Sequence, residues 1–284
     1  MGRDLYDAYP VARDLFDRAD SLLDLPLSRL CFEGPADELG ATANAQPAIY
    51  VMSLACLAVA RDAGLAETPS YVCGHSMGEY TALAAASAMS FEDGLRLVAE
   101  RGRLTQATAQ ATPGGMAAIL GLEEDAVRQI CDDTGAELCN INAPGQIVIG
   151  GAEEPLAKAL TLATERGARR AVRLDVAGAF HTSLMQPAVE PFSKAVSSTR
   201  MHPPEAPFVA NQSGDALSEP TAIAAELVYQ LTHPVHWTRC VRFLAANGVS
   251  EVIEFGPARV LTGLIKRIEP SITLRNINNA AALA

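Results

Sequence analysis

Gly74-His75-Ser76-Met77-Gly78 is the stretch with the clearest chemical potential in the chain, a G-x-S-x-G pattern. In this pattern glycines permit a tight strand-to-helix turn that projects the serine hydroxyl, and the next backbone N–H can face an oxyanion. A serine nucleophile needs a base, and five histidines are available: His75, His181, His202, His233 and His236. His75 adjoins the serine, so an ordinary turn points it elsewhere. His202 precedes Pro203-Pro204 and reads as exposed. His233-Pro234-Val235-His236 is a weak metal pair, because Pro234 breaks any helix that would align the two rings. An ordinary serine hydrolase draws its histidine from late in the chain, which favours His233 or His236. His181 sits instead in Gly178-Ala179-Phe180-His181-Thr182, so on the residues alone all three stay open. Arg101 shares a helical stripe with Leu97, Thr105 and Thr108 and is followed by Gly102. A guanidinium buried there needs an anion. That anion is either a carboxylate of the chain, such as Glu79, or one on a substrate, which the planar fork grips with two hydrogen bonds.

Positioning these groups requires an α/β framework. Residues 70–73 read as a short strand before the turn and 79–89, rich in alanine, as the helix after it. An amphipathic helix over 5–23 opens the chain, an apolar helix over 48–60 follows the Asn44-Ala45-Gln46-Pro47 start, and 91–110 forms another helix. Between Gly114-Gly115 and residue 174 the pattern becomes βαββαβ, with strands at 116–120, 138–141, 146–149 and 169–174. It is bracketed by glycine and proline and reads as a small domain inserted into a larger one. Helices at 185–198, 223–231 and 238–246, strands at 208–211 and 251–255, and a helix after Gly256-Pro257 complete the chain.

Composition narrows the function. Of 284 residues, 49% are hydrophobic, 5% aromatic and 19% charged, with a formal charge of −11. An ordinary apolar fraction excludes a disordered chain, and an acidic, aromatic-poor one is a poor partner for nucleic acid. The 48–60 run, interrupted only by Ser53, is shorter than the roughly 20 residues that span a bilayer and reads as a core helix rather than a membrane anchor. The six cysteines form no C-x-x-C pair and are expected to be reduced core residues; with no apolar signal segment at the start, a cytoplasmic protein without a bound metal is expected.

Taken in order and spacing, Gly74-His75-Ser76-Met77-Gly78-Glu79-Tyr80, Glu100-Arg101-Gly102, Gly115-Met116-Ala117-Ala118-Ile119, Asn140-Ile141-Asn142-Ala143-Pro144-Gly145-Gln146, Ala179-Phe180-His181 and Phe255-Gly256-Pro257 resemble malonyl-CoA:acyl carrier protein transacylases across essentially the whole chain. The resemblance implies an α/β-hydrolase-like core with a parallel sheet, residues 1–112 and 178–284, carrying a ferredoxin-like insert at 113–177. It implies that Ser76 is the nucleophile and His181 its base, oriented by the backbone carbonyl of Gln230. Arg101 then holds the free carboxylate of malonate, Met77 supplies an oxyanion N–H, Phe180 is the bulky residue of malonyl-selective members, and Met116 and Asn142 line the substrate site. Malonyl-CoA is a substrate and no cofactor is implied. The implied partner is acyl carrier protein, the implied state a monomer, and the implied pathway fatty-acid synthesis. The runner-up is a free-standing acyltransferase loading polyketide synthase carriers; an acyl-thioester hydrolase and an impaired carrier-binding protein are the alternatives of other classes.

One departure stands out. Relatives begin with a strand and a Pro-Gly-Gln-Gly-Ser-Gln loop that gives a second oxyanion donor, and neither is in this sequence, so the expectation is a chain that starts downstream of its true start or an impaired form. Because carrier proteins are acidic, the basic segment Lys158, Arg166, Arg169, Arg170 and Arg173, with only Glu165 opposing it, is either a docking face or a solvated one.

Overall fold

The computed structural model describes residues 1–283. Two helices, α1 (Arg3–Ala8) and α2 (Pro10–Leu23), replace the single one expected over 5–23. Pro10 has no N–H with which to continue α1, and it holds Tyr9 extended at φ −126° and ψ 116°. Short helices α3 (Leu27–Glu33) and α4 (Ala36–Gly40) lead into α5 (Thr42–Asp62). By length and composition α5 could cross a bilayer, yet it is mostly enclosed: Ala48, Tyr50, Val51, Ala55, Cys56 and Ala60 are fully buried in the largest apolar cluster.

Next come β1 (Val72–Cys73), α6 (Gly78–Ala85) and α7 (Phe91–Ala111). The Ser90 Oγ caps α7 by accepting the Asp93 N–H at 3.0 Å, with Glu92 and Asp93 at the positive end of the helix. Packing of α7 against α5 is close. A Cβ on Gly102 would lie 2.9 Å from the Thr42 carbonyl oxygen and 3.0 Å from the Ala43 Cα. This approach brings Gln46 of α5 against Arg101 of α7.

A four-stranded antiparallel sheet follows, built from β2 (Gly115–Leu120), β3 (Glu137–Ala143), β4 (Gln146–Gly151) and β5 (Arg170–Arg173) in the order β3-β4-β2-β5. Two helices, α8 (Glu124–Thr134) and α9 (Glu153–Glu165), enclose a separate core with Ile119, Val127, Ile130, Ile147, Ile149 and Leu156. The strands alternate, so Met116, Cys139 and Val148 form another cluster, against which Phe180 and Leu174 pack. This unit is tied to the rest by backbone bonds from Ile141 N–H to the Val235 carbonyl, 2.9 Å, and from Val235 N–H to the Cys139 carbonyl, 2.8 Å.

The chain ends with α10 (Gln186–Ser198), β6 (Phe208–Val209), β7 (Ala216–Leu217), α11 (Pro220–Tyr229), α12 (Trp237–Ala246), β8 (Glu251–Phe255), α13 (Val260–Ile268) and β9 (Thr273–Ile277). The expected parallel sheet is divided. In one piece β1 runs parallel to β6, which pairs antiparallel with β7; in the other β8 runs parallel to β9. The first strand in chain order is β1, and among the described residues no strand pairs with the outer edge of β1 or of β8.

Candidate active site

Ser76 sits in the turn between β1 and α6 with φ +53°, a left-handed conformation rare for a side-chain-bearing residue and strained. Gly74 makes the turn possible, since a Cβ there would lie 2.1 Å from the carbonyl carbon and oxygen of Gly78. Gly78 itself has nothing within 4 Å of such a Cβ, so the second glycine of the pattern is not required by crowding. Asn211, just beyond β6, clamps the turn: its Oδ1 accepts the Ser76 N–H at 2.7 Å and its Nδ2 donates to the Gly74 carbonyl at 2.7 Å.

The three candidate histidines are now separated. The His181 Nε2 lies 2.8 Å from the Ser76 Oγ, and the His181 Nδ1–H donates to the Gln230 carbonyl at 2.8 Å. That second bond fixes the tautomer, leaving Nε2 as the acceptor for the serine proton. His181 is buried, at φ +64°, and its pKa is pushed down to about 3, by burial first and then by the charge of Arg101. The imidazole is therefore neutral at pH 7, and its Nε2 lone pair faces the Ser76 hydroxyl. His75 turns away from the serine, with Nε2 2.8 Å from the Asn142 Oδ1 and its ring against Trp237. His233 stacks on Tyr229, His236 is buried with an unpartnered Nδ1, and His202 is exposed. Among the described residues no three His, Cys, Asp or Glu side chains are grouped to hold a metal.

Arg101 has only 5% exposure, yet among the described residues no carboxylate oxygen lies within 4.0 Å of its guanidinium. The intramolecular ion pair with Glu79 or another acid is thereby overturned. Its partners are neutral: Nη1 donates to the Gln46 Oε1 at 2.7 Å, and Nη2 to the Gln230 Oε1 at 2.9 Å and to the Ser76 Oγ at 3.1 Å. The Nε–H has no acceptor. A full positive charge thus stands beside the serine with donors to spare, an arrangement suited to a small anion.

The remaining expected residues fall around this centre. Met77 begins α6 as its N-cap residue, and its N–H has no acceptor among the described residues. Phe180 is half-buried and packs with Met116, while Asn142 reaches the site through His75. Gln230 contributes more than its carbonyl, because its Nε2 donates to the Ser76 carbonyl at 3.1 Å and to the Glu79 Oε2. The basic segment is largely neutralised: Lys158 pairs with Glu154, Arg166 with Asp133 and Arg173 with Glu153, leaving Arg169 and Arg170 exposed.

Gln46, Asn211 and Glu226 were not singled out from the sequence, and Glu79 entered only as a partner for Arg101. Glu79 is fully buried, accepting the Asn211 N–H at 2.7 Å as well as the Gln230 amide. Its pKa is raised well above the usual carboxylate range by burial and by Glu226, against the opposing pull of the Asn211 N–H, Arg101 and Gln230. The usable signal was Glu79 itself, an acid one turn beyond Ser76 on a helix otherwise uncharged.

This geometry can be set beside known proteins. The acyl transferase domain family matches residues 1–281. The malonyl CoA-acyl carrier protein transacylase of Bacillus subtilis is 42% identical over 273 residues, covering 94% of this chain and 86% of the relative. The Escherichia coli K12 protein of the same name is 36% identical over 288 residues, covering all of this chain and 93% of its own. The acyl-carrier-protein-S-malonyltransferase structure from Bartonella henselae superposes with a TM-score of 0.96 at 39% identity, covering 100% of this chain and 92% of that one. A malonyl-transacylase solved with a type II polyketide synthase acyl-carrier protein gives 0.96 at 36% identity, covering 100% and 93%. With a matching family over nearly its whole length and a serine, histidine and uncompensated arginine converging at one point, the chain belongs to the acyl transferase domain family.

Proposed function

We propose that the protein transfers malonyl from malonyl-CoA to the phosphopantetheine thiol of acyl carrier protein, supplying fatty-acid synthesis. The observation that carries this reading is Arg101, buried, without a carboxylate partner among the described residues, and 3.1 Å from the Ser76 Oγ. A malonyl carboxylate at its free donors places the thioester carbonyl over the serine.

The chemistry takes two symmetric steps. His181 Nε2 accepts the Ser76 proton as Oγ forms a bond to the thioester carbonyl carbon, and the oxyanion develops toward the Met77 N–H. Collapse breaks the carbon–sulfur bond, and the CoA sulfur takes the proton from His181. A malonyl ester remains on Ser76. The carrier thiol then gives its proton to His181 and attacks the ester carbonyl, and collapse returns the proton to the Ser76 Oγ. Proton transfer and nucleophilic attack suffice, so no cofactor is called on and malonyl-CoA is a substrate. Gln230 orients His181, Phe180 bounds the acyl pocket on the side of Met116, and Asn142 fixes His75 beside the turn.

The same reading takes residues 1–112 and 178–284 as an α/β-hydrolase-like core and 113–177 as a ferredoxin-like insert. The βαββαβ order, the β3-β4-β2-β5 arrangement and the insert's separate apolar core support it. Six free cysteines, five of them buried, suit the reducing cytoplasm, where the protein acts as a monomer. The similarity to a transacylase solved with a type II polyketide carrier favours a second reading, the loading of polyketide carriers.

Intact-mass spectrometry after mixing with malonyl-CoA tests the proposal. A malonyl adduct on Ser76 that moves to carrier protein supports transfer. Discharge to water identifies a hydrolase, and failure to form the adduct contradicts both.

A further inference from the structure

Arg101 is held by two glutamines, and both amides have their orientation fixed by bonds on the far side. The Gln46 Nε2 donates to the Thr42 Oγ1 at 3.0 Å and to the Thr105 Oγ1 at 3.3 Å, so its Oε1 must face the arginine. Thr105 is itself anchored, its Oγ1 donating to the Arg101 carbonyl at 2.8 Å. The Gln230 Nε2 is likewise engaged with the Ser76 carbonyl and Glu79. Gln46 is buried, on the face of α5 that Gly102 allows close to α7.

A carboxylate at either position would complete an ion pair with the buried guanidinium and cancel its attraction for an incoming anion. An apolar side chain at position 46 would leave Nη1 without its acceptor, so that only the Nη2 bonds to Gln230 and Ser76 hold the fork. The amide does neither: it aligns the fork and leaves its charge intact. Of the two glutamines, Gln230 also orients His181, whereas Gln46 touches none of Ser76, His181 or their hydrogen-bonded partners except through Arg101. Its influence therefore reaches the reaction only through the placement of Arg101.

We propose that Gln46 is a specificity-determining residue, an uncharged strut that holds Arg101 open to an anionic acyl group and so sets the preference for malonyl over acetyl. The proposal rests on the malonyl-transfer reading. It assigns Gln46 no contact with the reacting atoms, so an acyl group without a carboxylate should sense its replacement far less than malonyl does, only through the Arg101 bond to the Ser76 Oγ.

Rates of Ser76 acylation by malonyl-CoA and by acetyl-CoA, read by intact mass, test it in the wild type, Gln46→Met and Gln46→Glu, with thermal melting as a check on folding. Gln46→Met is expected to slow malonyl loading several-fold, and Gln46→Glu to slow it by at least about tenfold more, with acetyl loading changed by less than about threefold in both. Equal slowing of both acyl groups in a folded variant overturns the specificity role, as does an unchanged malonyl rate. A glutamate variant no slower than the methionine one overturns the argument from charge. Should the glutamate variant fail to fold, the methionine variant still separates a selective loss from a general one. A wild type that loads acetyl as fast as malonyl would instead contradict the malonyl-transfer reading itself.

Discussion

At the residue scale, the site concentrates strain and charge that the rest of the structure holds in place. Ser76 and His181 both adopt positive φ, and each is pinned by a hydrogen bond to a residue far away in sequence, Asn211 and Gln230. Glu79 ties these two supports together by accepting from both. Replacing it by glutamine leaves one acceptor oxygen and introduces a donor, so one of the two bonds is lost. Glu79→Gln should lower kcat/KM for malonyl transfer by about ten- to a hundredfold with an unchanged circular dichroism spectrum. A second prediction concerns His181, whose pKa lies near 3 partly because Arg101 is close. Removing that positive charge favours the imidazolium, so in Arg101→Ala the acid limb of the acetyl-transfer pH profile should move to higher pH. Acetyl-CoA is the right probe because its acyl group has no carboxyl to titrate. Ser76 was legible from its own local pattern, whereas His181 and Arg101 were singled out only by the family resemblance, the residues alone leaving His233, His236 and a carboxylate partner for the arginine open. Gln46 and Asn211 were not legible, since a buried amide acquires its role only from partners that folding brings from 55 and 135 residues away.

The elements show which parts of those local patterns are steric requirements. Gly74→Ala drives a Cβ into the Gly78 backbone and should abolish the turn, whereas Gly78→Ala meets open space at the start of α6 and should leave the melting temperature unchanged or slightly raised. Thermal melting of the two variants checks this contrast. The long helices were readable from apolar periodicity, and only Pro10 divided one that was expected whole. Among the strands, β7 has two residues and β9 has Arg275 and Asn276 side by side, which breaks the alternation that marks a strand, so neither is separable from a loop. The basic segment around Arg169 illustrates a different limit. Its charges are close in sequence, but Asp133, Glu153 and Glu154 fold against three of them. Only Arg169 and Arg170 remain to attract an acidic carrier. Reversing both charges should raise the apparent KM for carrier protein several-fold at low salt without changing the rate at which malonyl-CoA loads Ser76.

For the whole molecule, burial of ionisable groups couples stability to pH with opposing signs. His236 is held neutral, its pKa lowered to about 4 by burial and by Arg239. The unfolded chain, titrating near 6.5, binds the proton more readily. The stability this group contributes is complete above about pH 6.5 and is lost as the pH falls toward 4. Glu79 and Glu226, whose pKa values are raised, act in the opposite sense, favouring the folded state as the pH drops toward the ordinary carboxylate range. Comparing His236→Gln with the wild type isolates the histidine: the variant should lose about 2–3 kcal/mol less between pH 7 and pH 4 in urea unfolding. The division of the parallel strands into two pieces was hidden from the sequence for a related reason, because strand partners are a property of the assembled molecule. The same holds for the state of Arg101. Its helix and its burial could be anticipated from the residues, but the lack of a carboxylate beside it could not, and the proposed role in holding the malonyl carboxylate rests on that lack. The rates at which malonyl-CoA and acetyl-CoA acylate Ser76 in Arg101→Ala therefore bear most directly on the account. A loss of malonyl loading by at least about a hundredfold, with acetyl loading reduced far less, is the expected result; an unchanged ratio of the two rates would contradict it.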